Sequence, residues 1–338
     1  MKTAEIVVRI LEDEGITAAF GIPGAAINPV YQYLKSSTIK HYIARHEEGA
    51  VHAADGYCRA SGRMALAICT SGPGATNFVT GLYTARADSI PLIAITGQAS
   101  SKWLSIEAFQ CVDIAAIARP VAKATWCVTN PADVAGVMRE AFRTARSGRP
   151  GPVLVDLPLD VQMADVSYRP DEDRPLPWSK PAPDPDSIAR AMDLIAASQA
   201  PIMILGGGVI LADATAEFRE LAEHLSLPVI MTYMGKGGLP YAHPLNAGHA
   251  GIQVGQPIGN RYFLDSDLVI GFGCRFTDRH TGKVDVYRGQ RKFIHIDIEP
   301  SQIGRVVPVE LGIVADVKLA LAALLEEARR RGYHPAPS

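Results

Sequence analysis

The chain predicts an α/β protein made of two doubly wound parallel-sheet domains. Three observations carry this. Short apolar runs alternate with helical periodicity along almost the whole sequence. The runs are continuously apolar rather than alternating, as in strands covered by helices on both faces. A stretch at 169–186, RPDEDRPLPWSKPAPDPD, is too rich in proline and charge to hold a helix or a central strand, and it divides the pattern in two. The predicted organisation is a first domain at 1–168, a linker at 169–187, a second domain at 188–331 and a polar tail at 332–338.

In the first half, strands are predicted at 39–44, 65–70, 91–96, 123–128 and 152–157, and helices at 3–14, 47–60, 75–87 and 132–146. Three strand-to-helix turns stand out: Phe20-Gly21-Ile22-Pro23-Gly24-Ala25-Ala26, Arg45-His46-Glu47-Glu48-Gly49-Ala50 and Thr70-Ser71-Gly72-Pro73-Gly74-Ala75-Thr76-Asn77. Loops at the ends of parallel strands can converge on one ligand, which makes Glu47 a proton-transfer candidate rather than a surface charge. The helix after Glu47 carries Gly49, Ala53, Gly56 and Ala60 on one stripe. Small residues at that spacing allow another backbone to approach closely, either within the domain or from a second subunit. In the second half, strands are predicted at 201–205, 228–232, 268–273 and 292–298, with a last helix near 318–331.

Bulk properties exclude several classes. The chain has 338 residues, 48% hydrophobic and 20% charged, as in an ordinary globular protein of about two domains. A formal net charge of -2 gives no reason to expect nucleic acid or an anionic membrane as partner. Five cysteines without metal-ligand spacing fit a reduced, cytoplasmic setting, and the N-terminus has no signal-peptide pattern. No apolar run approaches the length of a membrane span, about 18 residues.

The first half resembles the pyrimidine-binding domain of thiamine-diphosphate enzymes. The resemblance rests on GIPG at 21–24, RHEEGA at 45–50, TSGPGATN at 70–77, TGQ at 96–98 and FQ at 109–110. It implies that Glu47 hydrogen-bonds the aminopyrimidine ring nitrogen and so promotes loss of the thiazolium C2 proton, with a glutamic acid pKa raised by burial suiting that exchange. It places Pro23, Gly24, Pro73, Asn77 and Gln110 around the pyrimidine half of the cofactor; from the residues alone, Asn77 and Gln110 could also be ordinary loop or turn-forming amides. The second half is similar to the central domain of the flavin-containing members. That implies FAD contacts at Gly207, Gly208, Thr232, Tyr233, Met234, Gly248, His249, Gly273, Arg275, Arg279, Asp297, Ile298, Asp316 and Val317. Gly206-Gly207-Gly208 after a strand lets backbone amides approach a pyrophosphate, and Arg275 and Arg279 suit phosphates. Asp297, at a strand end, suits a ribose or adenine edge.

A narrower resemblance, to glyoxylate carboligases, is carried by VDIAAIARPVAK at 112–123, SGRPGPVLVDLPLDVQ at 147–162, DRHTGKV at 278–284 and HIDIEPSQIGRV at 295–306. It implies condensation of two glyoxylates to tartronate semialdehyde with loss of carbon dioxide. Known glyoxylate carboligases carry an apolar residue where Glu47 stands, and GPGATN is closer to acetohydroxyacid synthase, so that enzyme acting on pyruvate stays open as the alternative. The chain contains no Gly-Asp-Gly, the family's signature for holding the diphosphate through magnesium. The diphosphate-binding domain is therefore expected to be absent, with no metal ligands here. A homo-oligomer (dimer or tetramer), and possibly a separate diphosphate-domain chain, are the expected partners besides a small 2-oxo acid. A non-catalytic flavin-binding or regulatory partner of a full-length enzyme is the alternative from another class.

Overall fold

In the computed structural model, which describes residues 1–104, 106–251 and 256–333, the apolar runs become two six-stranded sheets in which every pairing is parallel. The chain divides into two compact units, Met1–Ser179 and Lys180–Ser338. The division falls inside the proline-rich stretch.

The strands of the first unit are β1 (Ala18–Gly21), β2 (Lys40–Ile43), β3 (Leu66–Cys69), β4 (Ile93–Gln98), β5 (Ala124–Cys127) and β6 (Val153–Pro158), in the order β2-β1-β3-β4-β6-β5. Its helices are α1 (Thr3–Asp13), α2 (Asn28–Leu34), α3 (Glu47–Ser61), α4 (Pro73–Thr76), α5 (Phe78–Ala87), α6 (Ile114–Ala118), α7 (Val134–Arg146) and α8 (Leu159–Met163). The chain steps from β1 outward to β2 and then returns to the other side of β1 with β3. The strand order therefore reverses between β1 and β3, where open α/β sheets bind ligands. β3, β4 and β6 are buried along their whole length, which is why they read as unbroken apolar runs. One core cluster centres on α1, α7 and one sheet face, and another on α3, α5 and the opposite face.

In this unit one expectation changes and one of two alternatives falls away. The helix predicted at 75–87 is two helices, α4 and α5, meeting at Asn77. The small-residue stripe of α3 does not pack within the domain: Gly49, Ala53, Gly56 and Ala60 are exposed, and a Cβ built on Gly49 or Gly56 meets nothing within 4 Å. Close packing of α3 on α5 uses Gly81 instead, whose Cβ would stand 2.5 Å from that of Val51.

The second unit orders β7 (Pro201–Leu205), β8 (Val229–Met231), β9 (Asn246–His249), β10 (Leu268–Phe272), β11 (Lys292–Asp297) and β12 (Leu311–Val314) as β12-β11-β10-β7-β8-β9. Counted from β7, this is the 3-2-1-4-5-6 order of dinucleotide-binding sheets, with its reversal between β7 and β10. The helices are α9 (Pro185–Ala197), α10 (Gly207–Leu211), α11 (Thr215–Leu225), α12 (Pro257–Asp265), α13 (Asp278–Thr281), α14 (Val284–Arg288) and α15 (Val317–Arg330). α9 starts before the predicted end of the linker. Asp184 caps it by accepting from Ser187 N at 3.0 Å, and Pro185 takes the first helical position, where its missing N–H costs nothing. β9 and β12 were not predicted. Of the predicted tail, residues 334–338 lie outside the described residues. No helix among the described residues is long and apolar enough to cross a membrane.

Candidate functional site

The three glycine-rich turns of the first unit follow β1, β2 and β3, neighbours in the sheet, and so gather at one end of the strand-order reversal. Glu47 opens α3, where His46 caps the helix by accepting from Glu48 N at 3.2 Å. The Glu47 carboxylate is half-buried, and its oxygens have different surroundings. Oε2 accepts from Asn77 Nδ2 at 2.9 Å. Oε1 faces Gly74, where an added Cβ would lie 3.3 Å away. The break between α4 and α5 puts Asn77 where its amide can reach Glu47, and the glycine at 74 keeps space in front of the second oxygen.

Thr70 ties the turns together. Its Oγ1 accepts from Ala26 N at 3.3 Å, its side chain would meet a Gly24 Cβ at 2.5 Å, and its methyl group would meet a Gly74 Cβ at 3.1 Å. Gly24 is thus a point of close approach between the first and third turns. Gly72, with φ 62°, has no room for a side chain: a Cβ would stand 2.7 Å from that of Gln110. Gln110 itself adopts φ 53°, a left-handed conformation uncommon for a non-glycine residue. Pro23 and Pro73 are exposed on the turns. The structure therefore brings Gly24, Glu47, Gly74, Asn77 and Gln110 into one linked set. Thr70, quoted only as part of a motif, is the hub that sequence reasoning missed.

In the second unit the predicted residues sit at the C-terminal ends of all six strands. At the reversal point the backbones of Gly206 to Gly208 and Gly273 touch: a Cβ on Gly208 would stand 2.7 Å from Gly273 Cα, and one on Gly206 would stand 2.1 Å from Gly273 O. Gly273 has φ 54°. Gly207 lies against Met234, at 2.9 Å from a built Cβ to the Met234 Cβ. Thr232 is buried and accepts from Gly235 N at 3.1 Å, holding the turn in which Tyr233 and Met234 are exposed. Gly248 has φ 91°, and His249 Nδ1 faces the Met231 carbonyl at 3.1 Å. Arg275 is half-buried, and Arg279 is exposed with its Nε 3.7 Å from Asp278. Asp297 is buried at the end of β11, where Oδ1 accepts from Glu299 N at 2.9 Å, and Ile298 follows it half-buried. Asp316 caps α15 through Lys318 N and Leu319 N at 3.0 and 3.2 Å and pairs with Lys180 at 3.0 Å, so its carboxylate is already engaged; Val317 beside it is buried.

Two family models match, in the same order as the two units. Residues 1–117 match "Thiamine pyrophosphate enzyme, N-terminal TPP binding domain", and residues 188–324 match "Thiamine pyrophosphate enzyme, central domain". The chain carries the N-terminal and central domains of the thiamine pyrophosphate enzymes. It is 50% identical over 331 residues to a glyoxylate carboligase of Escherichia coli, covering 97% of this chain and 56% of that protein. It is 45% identical over 332 residues to an acetolactate synthase large subunit of Corynebacterium glutamicum, covering 97% and 53%. A probable acetolactate synthase large subunit of Methanocaldococcus jannaschii is 43% identical over 333 residues, with 96% and 56% covered. The chain spans about half the length of these curated relatives.

Proposed function

We propose that this chain supplies the pyrimidine half of a thiamine diphosphate site and a central FAD-binding domain to a carboligase that joins two glyoxylates into tartronate semialdehyde and releases carbon dioxide. The observation that carries this reading is the Glu47 carboxylate at the sheet's reversal point, with one oxygen fixed by Asn77 and the other facing the space that Gly74 leaves. The 50% identity to a glyoxylate carboligase supports the choice of substrate.

Thiamine diphosphate, when bound, supplies the electron sink for decarboxylation and carbon–carbon bond formation. The protein's part is to hold and tune it. Glu47 Oε1 would hold the proton at the pyrimidine ring nitrogen. Asn77 keeps that carboxylate in one orientation, since the hydrogen bond between the two half-buried side chains restricts both rotamers. Pro23, Gly24, Pro73 and Gln110 line the same region. Magnesium would be held by oxygen ligands on a Gly-Asp-Gly segment carried elsewhere, in a longer form of this protein or in another polypeptide, and a second copy of this chain is the natural oligomeric partner. For FAD, the half-exposed Gly207, Gly208 and Gly273 would offer backbone to a pyrophosphate. Arg275 and Arg279 would meet phosphate charge, Asp297 a ribose or adenine edge, and the segments at Thr232 to Met234, Gly248–His249, Ile298 and Asp316–Val317 complete the rim.

A second reading, acetolactate formation from pyruvate, is favoured by Glu47 itself and by 45% identity to an acetolactate synthase large subunit. Product analysis separates the two. The chain is supplied with thiamine diphosphate, magnesium and FAD, alone and with a polypeptide carrying the Gly-Asp-Gly segment, and is offered each oxo acid. Tartronate semialdehyde and carbon dioxide from glyoxylate in the mixture are the expected result. Acetolactate from pyruvate without tartronate semialdehyde would replace the first reading by the second. Unchanged activity of the mixture after Glu47→Gln would leave this chain a non-catalytic flavin-binding partner.

A further inference from the structure

The Thr96-Gly97-Gln98 stretch ends β4, and none of its residues has a part in the site described so far. Strand alternation puts Thr96 and Gln98 on one face of the sheet and Gly97 on the other. On the first face lies Asp156 of β6, 1% exposed. Thr96 Oγ1 donates to its Oδ1 at 2.7 Å and Gln98 Nε2 to its Oδ2 at 3.0 Å. The same Nε2 donates to the Val112 carbonyl at 2.7 Å, while Gln98 Oε1 accepts from Ala99 N at 2.9 Å. Both amide hydrogens and the amide oxygen of Gln98 are thus engaged, and the side chain, in a residue 1% exposed, has one satisfied orientation. Val112 lies two residues past Gln110, whose backbone rests on Gly72. On the opposite face, a Cβ at Gly97 would stand 2.3 Å from Ala26 O in the turn after β1.

We propose that Gln98, held in orientation by Asp156, is the positioning residue that fastens the Gln110 loop to the sheet and so keeps Gln110 against Gly72. Gly97 seats the turn after β1 from the other side, so the end of β4 sets two of the loops around Glu47. This rests on the cofactor reading only for what Gln110 contacts, not for how it is held. The titratable groups facing Asp156 are the Cys127 thiol on β5, which hydrogen-bonds it, the Asp113 carboxylate at the start of α6, and the Cys69 thiol on β3.

Amide hydrogen exchange on the whole chain tests the proposal. Cys111 N, bonded to Ala108 O at 3.1 Å, and Ala99 N are the reporters. Gln98→Met should speed exchange at both by about tenfold, the loss of roughly one hydrogen bond, with strands β1 and β3 unchanged. Gln98→Glu loses the donor while its carboxyl is ionised and regains one when protonated. Loop protection, corrected for intrinsic exchange and taken relative to the wild type at each pH, should therefore rise as pH falls; the wild-type comparison removes the general stabilisation that comes from protonating Asp156. Wild-type protection in Gln98→Met, or a pH response in Gln98→Glu no larger than that of the wild type, would overturn the proposal. If Gln98→Met frees the loop while Gln110→Ala leaves thiamine diphosphate binding of the assembled enzyme unchanged, the positioning role stands and the assignment of Gln110 to the cofactor falls.

Discussion

Glu47 and Asp156 are two carboxylates of the first unit in opposite settings. Glu47 keeps one oxygen open over a glycine, whereas Asp156 is enclosed, and burial pushes its pKa up to about 7 even though Thr96 and Gln98 donate to it. The folded state therefore holds a proton on Asp156 that the unfolded chain, with an ordinary value of 3.8, has released. Between these limits the native state binds more protons, so this group's contribution to stability falls as pH rises from about 4 to about 7. Asp156→Asn should flatten that part of the first unit's unfolding profile, measured by denaturant melts across the range. Asn77→Leu should leave folding nearly intact but free the Glu47 side chain, lowering activity of the assembled enzyme by about tenfold or more. Steady-state rates across thiamine diphosphate concentrations check it. Glu47 was legible in the sequence because two glycine-rich turns flank it. Asp156 was not: it reads as one polar residue inside the apolar run VLVDLP, and its partners come from β4 and β5, far along the chain.

At the scale of elements, the strand–turn–helix units were legible wherever a strand is buried on both faces. β3, β4, β6, β7 and β10 were found because continuous apolar runs leave little choice of structure. β9, Asn246-Ala247-Gly248-His249, was missed because it has no β-branched or aromatic residue and owes its pairing to β8 alone. β12 was missed because it is an edge strand alternating between buried and exposed positions. The helix break at Asn77 has no proline or glycine at the junction to announce it. The glycine contact between the turns after β7 and β10 predicts a sensitive position. Gly273→Ala places a Cβ 2.5 Å from Gly208 Cα in a left-handed backbone, so the second unit should lose about 1–2 kcal/mol or more and retain FAD poorly. A thermal melt together with flavin absorbance after gel filtration reads both effects.

Across the whole molecule, the division at the proline-rich stretch was plain from composition, while the buried polar groups of each unit were hidden. In the first unit Arg139, 2% exposed on the buried face of α7, bonds Glu14 at 2.9 Å and Asp173 at 2.6 Å, and Arg146 also reaches Glu14 at 2.6 Å. An arginine within a helical pattern reads as solvent-facing, and only the fold brings 14, 139 and 173 together. Arg139→Ala strands the buried Glu14 with one partner, and the expected loss is about 3 kcal/mol or more by chemical denaturation. In the second unit burial lowers the pKa of both His280 and His295 to about 4. Each stays neutral in the fold where the unfolded chain, at 6.5, would take up a proton, so stability present above that value is lost as pH falls toward 4. His280→Leu should reduce this acid sensitivity in pH-dependent melts of the second unit, opposite in sign to the Asp156 effect in the first. Glu47 is proposed to promote proton loss from the cofactor. The exchange rate of the thiazolium C2 proton reads this step: the chain assembled with a Gly-Asp-Gly-bearing polypeptide, magnesium and thiamine diphosphate is mixed into deuterium oxide, quenched with acid at set times and read by NMR. Glu47→Gln should slow that exchange by about a hundredfold while the cofactor remains bound; exchange at the wild-type rate with bound cofactor would contradict the account.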